Sequence, residues 1–221
     1  MTTDKKFFGN PVRVVLLLLA LLIIGLLLTM CGFTGEALDG QVVEEGTNGP
    51  IPGAIVVARW DGTVTALVDS RTACVYVESA VTDDQGRFHF PRWYRAPRFL
   101  VFGVLPTVTA YKAGYEARPY EEKVHHLKPF TGTREERIKY LLRLTGLIGC
   151  YSAAEEKTLV PVYKALYDEA RGIATTDKDK GVLQTIRRDA LYAWSRPSRE
   201  LTTREVDQAI QNDPYLRVHF P

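Results

Sequence analysis

The chain of 221 residues is poor in cysteine, with three in all, at positions 31, 74 and 150. Three are too few for the multi-bridge framework of a small secreted scaffold or for a structural zinc cluster. Net charge is also scarce. Twenty-eight Lys and Arg against 26 Asp and Glu leave +2, too balanced for the basic footprint of a nucleic-acid binder. Familiar catalytic and nucleotide loops are missing. The sequence contains no G-x-G-x-x-G, no G-x-x-x-x-G-K-[ST], no G-x-S-x-G and no H-E-x-x-H. The expectation is a protein without catalytic residues, cofactor or metal. With 46% hydrophobic and 24% charged residues, it is not a disordered or collagen-like chain.

What is present is unevenly placed. Residues 14–28 read VVLLLLALLIIGLLL, and Thr29 to Phe33 extend the run to residue 33. Such a run, about 20 residues at about 1.5 Å each, matches a bilayer core of roughly 30 Å. Lys5, Lys6 and Arg13 precede it; Glu36, Asp39, Glu44 and Glu45 come before the next basic residue, Arg59. That asymmetry favours a cytoplasmic N-terminus with the remainder across the membrane. With Asp4 the only acidic residue among residues 1–33, the whole +2 belongs to this segment. A buried core helix is disfavoured as its role, because a helix apolar on every face needs surroundings on every face and this one is terminal. Three readings stay open for residues 1–33: an uncleaved anchor, a lipoprotein signal, or a signal cleaved after Ala37. Leu28-Thr29-Met30-Cys31 resembles a bacterial lipobox, which makes Cys31 the candidate lipidation site, with Met30 standing where a small residue is expected. The apolar run is at or above the length of a secretory h-region, about 7–15 residues.

From residue 36 to about 128 the pattern is short and alternating. Strands are expected over 54–60, 63–68, 75–82, 87–90, 99–104, 107–111 and 120–126. Turns are expected at Asp61-Gly62, Asp83-Asp84-Gln85-Gly86 and Gly114-Tyr115. This spacing of strands and turns suggests a β-sandwich. Gly40-Gln41-Val42-Val43 followed by Gly49-Pro50-Ile51-Pro52-Gly53-Ala54-Ile55-Val56 resembles the opening of carboxypeptidase regulatory-like domains. Thr82-Asp83-Asp84-Gln85-Gly86-Arg87-Phe88 resembles that family's T-D-x-x-G-x-F hairpin, and Lys112-Ala113-Gly114-Tyr115-Glu116 its later G-Y turn. The resemblance implies a transthyretin-like antiparallel sandwich of seven or eight strands, used as an accessory or binding module in secreted and envelope proteins.

After Pro129 the period becomes helical. Thr133-x-x-Glu136 offers a capping box. Ile138, Leu141, Leu142, Thr145 and Ile148 form a stripe, with Glu135, Arg137, Lys139 and Arg143 off it. A second helix is expected over 153–171, stopped by Gly172, with Leu159, Tyr163, Leu166, Tyr167 and Ala170 inward. A third is expected from Lys178 or Asp179 to Ser195, ended by Pro197, with Leu183, Ile186, Ala190 and Trp194 inward. The fold class is thus α+β. An N-terminal transmembrane or signal helix (1–33) precedes a sandwich (36–128), a helical region packed on it (129–200) and a C-terminal tail (201–221) in which Thr202-x-x-Glu205 can cap a short turn.

Few residues stand out chemically. His125 and His126 are neighbours on a strand, so their rings point to opposite faces and do not share a metal. Asp83 and Asp84 read as turn residues rather than calcium ligands. In an oxidising compartment, with Cys31 lipidated or buried in lipid, Cys74 and Cys150 remain to pair and tie the sandwich to the helices; separate buried thiols are the alternative. Trp60, Arg92, Trp93, Tyr94 and Arg95 form the candidate ligand surface, either for sugar stacking or for an anionic partner; the alternative is that these aromatics complete the core. The expectation is a non-catalytic, membrane-tethered periplasmic binding or assembly module of a bacterial envelope. Its partners would be the membrane and an envelope protein or cell-wall polymer, not nucleic acid. A carbohydrate- or peptidoglycan-binding module using the Trp93 region and an enzyme of unfamiliar type are the alternatives.

Overall fold

The computed structural model describes residues 11–30, 33–65, 70–95, 101–117, 123–150 and 154–221. Cys31 lies outside the described residues. The architecture is α+β. A helix, α1 (Pro11–Met30), precedes β1 (Phe33–Gly35), β2 (Leu38–Glu44), β3 (Ile55–Thr65), β4 (Ser70–Val81), β5 (Arg87–Phe90), β6 (Trp93–Arg95), β7 (Val101–Tyr111), β8 (Tyr115–Ala117) and β9 (Val124–Pro129). Then come α2 (Arg134–Ile148), a 3-10 turn (Ala154–Leu159), α3 (Val160–Ile173), α4 (Asp177–Ser195), α5 (Thr203–Asn212) and α6 (Pro214–His219).

Two sheets face each other, one in the order β5-β2-β9-β8 and one in the order β4-β3-β7; β1 and β6 form a small ribbon. Between them lies a core of Val42, Ile51, Ala54, Val56, Ala58, Trp60, Phe88, Phe90, Trp93, Ala110 and Leu127. The second face of β4-β3-β7 is also buried. Val57, Cys74, Val77 and Tyr111 on that face pack with the helices in a second core. This explains the unbroken apolar run of β3, since a strand covered on both faces has no need of polar alternation. The layers are therefore sheet, sheet and helices.

The sandwich is mixed rather than antiparallel. β2 and β9 run parallel, with Gln41 opposite Val124 and Glu44 opposite Leu127. A parallel pair needs a crossover, and the chain supplies it by visiting β3, β4 and β7 of the other sheet between the two strands. Asp61-Gly62 is not a turn. β3 continues through it to Thr65, with register shifts against both β4 and β7 at this point. The extra residue is absorbed as a bulge that keeps the strand paired. The strands expected over 99–104 and 107–111 are one strand, β7, which tolerates Pro106 because it is at the sheet edge. Asp83 to Gly86 does not close a hairpin between paired strands. β4 pairs with β3 while β5 pairs with β2, so the turn carries the chain from one sheet to the other. Asp83 shapes it, its Oδ1 accepting from the N–H groups of Gln85 (2.9 Å) and Arg87 (2.8 Å). Gly86 is obligatory there. Its φ is +70°, and a Cβ would stand 2.4 Å from the Val42 carbonyl oxygen. β9 carries the strand expected over 120–126 on to Pro129, while residues 120–122 of that expectation lie outside the described residues.

In the helical layer, capping boxes start α2 at Thr133 and Glu136, α4 at Thr176 and Asp179, and α5 at Thr202 and Glu205. The second expected helix is split into the 3-10 turn and α3, with Pro161 in the first turn of α3. Gly172 lies inside α3, whose last carbonyls are met by the Ala174 N–H instead. Residues 201–221 are not a tail. α5 and α6 place Val206, Ile210, Leu216 and Phe220 in the helical core, each at most 1% exposed. The Tyr167 hydroxyl donates to the Pro221 carbonyl at 2.8 Å, which fixes the last residues. The 3.6-residue spacing of Val206 and Ile210 already announces an inward face, and burial of that face outweighs the shortness of the helices.

α1 differs from every other helix. Its described side chains, residues 14–25, include ten large apolar groups exposed by 49% or more. Among the described residues, no helix is long and apolar enough to cross a membrane.

Candidate functional site

The sequence nominates the Trp60–Trp93 region first, and the structure places its indoles inside the protein. Trp60 is 2% and Trp93 7% exposed. Their rings meet edge to face at 5.6 Å, and Tyr76 stacks on Trp93 at 4.4 Å. Gly35 lies directly against the Trp93 indole, so close that a Cβ there would collide with Nε1. With these ring faces occupied, Trp60 and Trp93 are core residues and present no stacking platform. The hydrophobic payload of two indoles explains the choice. Tyr94 is exposed, Arg92 pairs with Glu36 at 3.0 Å, and Arg95 lies over the Tyr76 ring at 5.3 Å. Burial and the neighbouring Glu78 push the Tyr76 phenol up to about 12. Of the nominated residues, Arg92, Tyr94 and Arg95 are brought to one end of the sandwich.

The family-like motifs meet elsewhere, at one corner. Thr82 Oγ1 donates to the Ile51 carbonyl and accepts from the Ala54 N–H, both at 2.8 Å. The Val42 N–H donates to the Gly86 carbonyl at 2.7 Å. Lys112 Nζ donates to the Pro52 carbonyl at 2.8 Å. These residues are spent on holding turns together. The histidines are also structural: His125 packs on Phe88 at 5.6 Å, and both His125 and His126 are half-buried. No group of three His, Cys, Asp or Glu that could hold a metal ion occurs among the described residues.

Cys74 on β4 and Cys150, just after α2, are joined in a disulfide with Cα atoms 5.3 Å apart, within the usual span of about 4.4–6.8 Å. A second tie between the layers is ionic. Arg137 Nε and Nη2 donate to the two carboxylate oxygens of Glu169 at 2.8 and 2.9 Å. The Tyr111 hydroxyl donates to the same carboxylate at 2.7 Å and the Gly114 N–H at 3.1 Å. The guanidinium sits between the rings of Phe130 and Tyr140, at 5.1 and 4.9 Å. Burial pushes Glu169 up, but the hydrogen bonds from Arg137, Tyr111 and Gly114 win and hold it below its ordinary value. The same burial and the facing carboxylate push the Tyr111 phenol far up. The sequence reading put Arg137 on the solvent side of α2. It is 4% exposed, while Leu142 of the expected stripe is 39% exposed. Ile138, Leu141, Thr145 and Ile148 of the expected stripe are buried as expected, and the inner face also takes in Arg137, Tyr140 and Leu144, a widening masked by the charge at its start.

One site has the character of a binding cleft. It lies beside α4, has a volume of about 510 Å³, and is lined by Glu156, Arg188, Asp189, Tyr192, Arg196, Pro197 and Glu200. Glu156 comes from the 3-10 turn, and Asp189 from the inner face of α4, spaced with Val182, Ile186 and Ala193. The carboxyls are deeply buried, with side-chain exposures of 2% and 10%. Glu156 accepts from the Cys150 N–H at 3.3 Å, and the Arg196 guanidinium stands 3.9 Å away. Arg188 Nε is 3.9 Å from Asp189. Burial pushes both carboxyls above their ordinary values, and Asp189 raises Glu156 further. Arg196 closes α4 in the left-handed region at φ 50°, a conformation uncommon outside glycine and asparagine. Sequence reasoning missed every residue of this cleft.

No protein-family model matches the chain, and no curated protein matches it. Among solved structures, a 9R-lipoxygenase from Cyanothece PCC8801 is similar at 12% identity and a TM-score of 0.19, over 78% of this chain. The chain spans 28% of that protein's length. A likeness at this level carries no argument about fold or activity.

Proposed function

We propose that the chain is a membrane-tethered module of a bacterial envelope, with its folded layers on the periplasmic side, and that it binds or assembles rather than catalyses. The Cys74–Cys150 disulfide carries this reading, because such bridges persist in oxidising compartments and are rare in the cytosol. α1 supports the tether. Of its 20 residues, the described side chains at 14–25 include ten large apolar groups turned to the surroundings; in the sequence Lys5 and Lys6 precede it and Arg13 falls in its first turn. The resemblance to carboxypeptidase regulatory-like domains supports an accessory role. So does the use of the shared motif residues for turns rather than chemistry.

Alkaline carbonate extraction of membranes from expressing cells tests the tether. The full chain is expected to stay in the pellet, and a chain lacking residues 11–30 to leave it. Full release of the intact chain by carbonate would overturn the tether. A mass measurement on the N-terminal peptide of the retained protein then distinguishes an intact helix from a lipid on Cys31.

A further inference from the structure

The cleft beside α4 contains a charge arrangement that the fold itself does not use up. Two carboxyls, those of Glu156 and Asp189, are buried where water solvates them poorly, and among the described residues the cations paired with them stand 3.9 Å away. That separation is too long for a hydrogen bond. An ionised carboxylate offers about four acceptor positions. Among the described residues Glu156 uses one, with the Cys150 N–H, while the Thr145 hydroxyl donates to the Leu142 carbonyl at 2.8 Å. The contrast with Glu169 is direct, since that buried carboxylate is fully engaged by Arg137, Tyr111 and Gly114. The floor of the cleft is therefore rich in acceptors and short of donors.

Its rim has the opposite character. Arg188 and Arg196 are 44% and 38% exposed at the side chain, and each, though paired loosely with an acid at 3.9 Å, can also meet an anionic group from the solvent side. Tyr192 is occupied, its hydroxyl accepting from the Leu201 N–H at 2.8 Å and donating to the Arg199 carbonyl at 3.3 Å. A bare metal cation suits this poorly, with two guanidiniums at hand. A purely anionic ligand would meet the buried acids. A ligand carrying an ammonium group close to a carboxylate satisfies both halves. Its N–H donors reach Glu156 and Asp189, and its carboxylate takes the charge-assisted fork of an arginine. A volume of about 510 Å³ is in the range of small-molecule sites, about 300–1,000 Å³.

We propose that this cleft binds a small zwitterionic amino compound of the free amino acid type, with Glu156 and Asp189 receiving its ammonium group and Arg188 and Arg196 its carboxylate. The inference rests on the reading of the folded part as a binding module and is independent of the tether. Calorimetric titration of the purified full-length chain in detergent tests it, with three probes. L-lysine carries both groups, cadaverine lacks the carboxylate, and hexanoate lacks the ammonium. L-lysine is expected to saturate one site per chain, with cadaverine and hexanoate each at least tenfold weaker. Glu156→Gln is expected to weaken L-lysine at least tenfold. Arg196→Gln changes only a half-exposed rim side chain, and is expected to weaken it as much with the unfolding temperature unchanged. Absence of saturable L-lysine binding, equal binding of cadaverine, or full affinity in Arg196→Gln would each overturn the assignment. Carbonate extraction is blind to all of these outcomes, so failure of the cleft and failure of the tether are told apart.

Discussion

Reduction of the Cys74–Cys150 bridge is expected to lower the unfolding free energy by about 4 kcal/mol. The two cysteines are 76 residues apart in sequence, so the bridge removes a long loop from the freedom of the unfolded chain. It does so without displacing anything in the native state, where both cysteines belong to the helical core. The bridge also joins layers that share few covalent routes. Cys74 is on an edge strand of the three-stranded sheet, and Cys150 follows the first helix packed on it. At about 2–4 °C per kcal/mol for a chain of this size, the unfolding temperature should fall by about 8–16 °C. Thermal unfolding followed by circular dichroism, with and without reductant, measures it. The Cys74→Ala/Cys150→Ala chain should unfold at the reduced temperature and be insensitive to reductant. A reductant shift below about 2 °C would show that the bridge does not constrain the chain in this way.

Glu169→Gln is expected to cost about 3–5 kcal/mol, the range for removing one partner of a buried ion pair. The loss is large because Arg137 would keep its charge, 4% exposed, with a neutral amide in place of the carboxylate. Tyr111 and Gly114 would also lose an ionised acceptor. The pH dependence has a definite sign. Glu169 is held below its ordinary value of 4.5. Its contribution is therefore complete above the unfolded value and is lost as pH falls through the folded one. Glu156 and Asp189 act in the opposite sense, because burial raises them. Their contribution is complete below the unfolded values and is lost as pH rises through the folded ones. Urea unfolding between pH 3 and pH 8 reads both effects. The gap between wild type and Glu169→Gln should narrow toward acid. A gap constant across that range would show that the carboxylate is not the stabilising species.

The layers of this fold were legible in the sequence to different depths. The strands rich in β-branched residues, the caps at Thr133 and Thr202, and the inner face of α3 all follow from local periodicity, and the structure contains them. The parallel pairing of β2 with β9 was not legible, because register between strands some eighty residues apart leaves no local trace. Asp61-Gly62 reads as a turn by composition, yet pairing on both sides keeps β3 extended through it. The aromatic cluster misled for a related reason. Tryptophan and arginine interleaved in sequence suit a ligand surface, but alternation along β6 turns Trp93 inward and leaves Tyr94 outside. Charged residues on inward helix positions were the least legible. Arg137, Glu169 and Asp189 break the apolar stripes that reveal a buried face, and for Arg137 and Glu169 only their tertiary pairing explains the position.

The central claim is that one chain combines a membrane tether with a disulfide-bonded domain on the far side. Thiol labelling of spheroplasts from expressing cells, with a membrane-impermeant maleimide, tests it most directly. Without reductant, Cys74 and Cys150 should not react. After an impermeant phosphine is added outside, both should react while the cells stay intact. Labelling of either cysteine before reduction, or labelling only after lysis, would contradict the account.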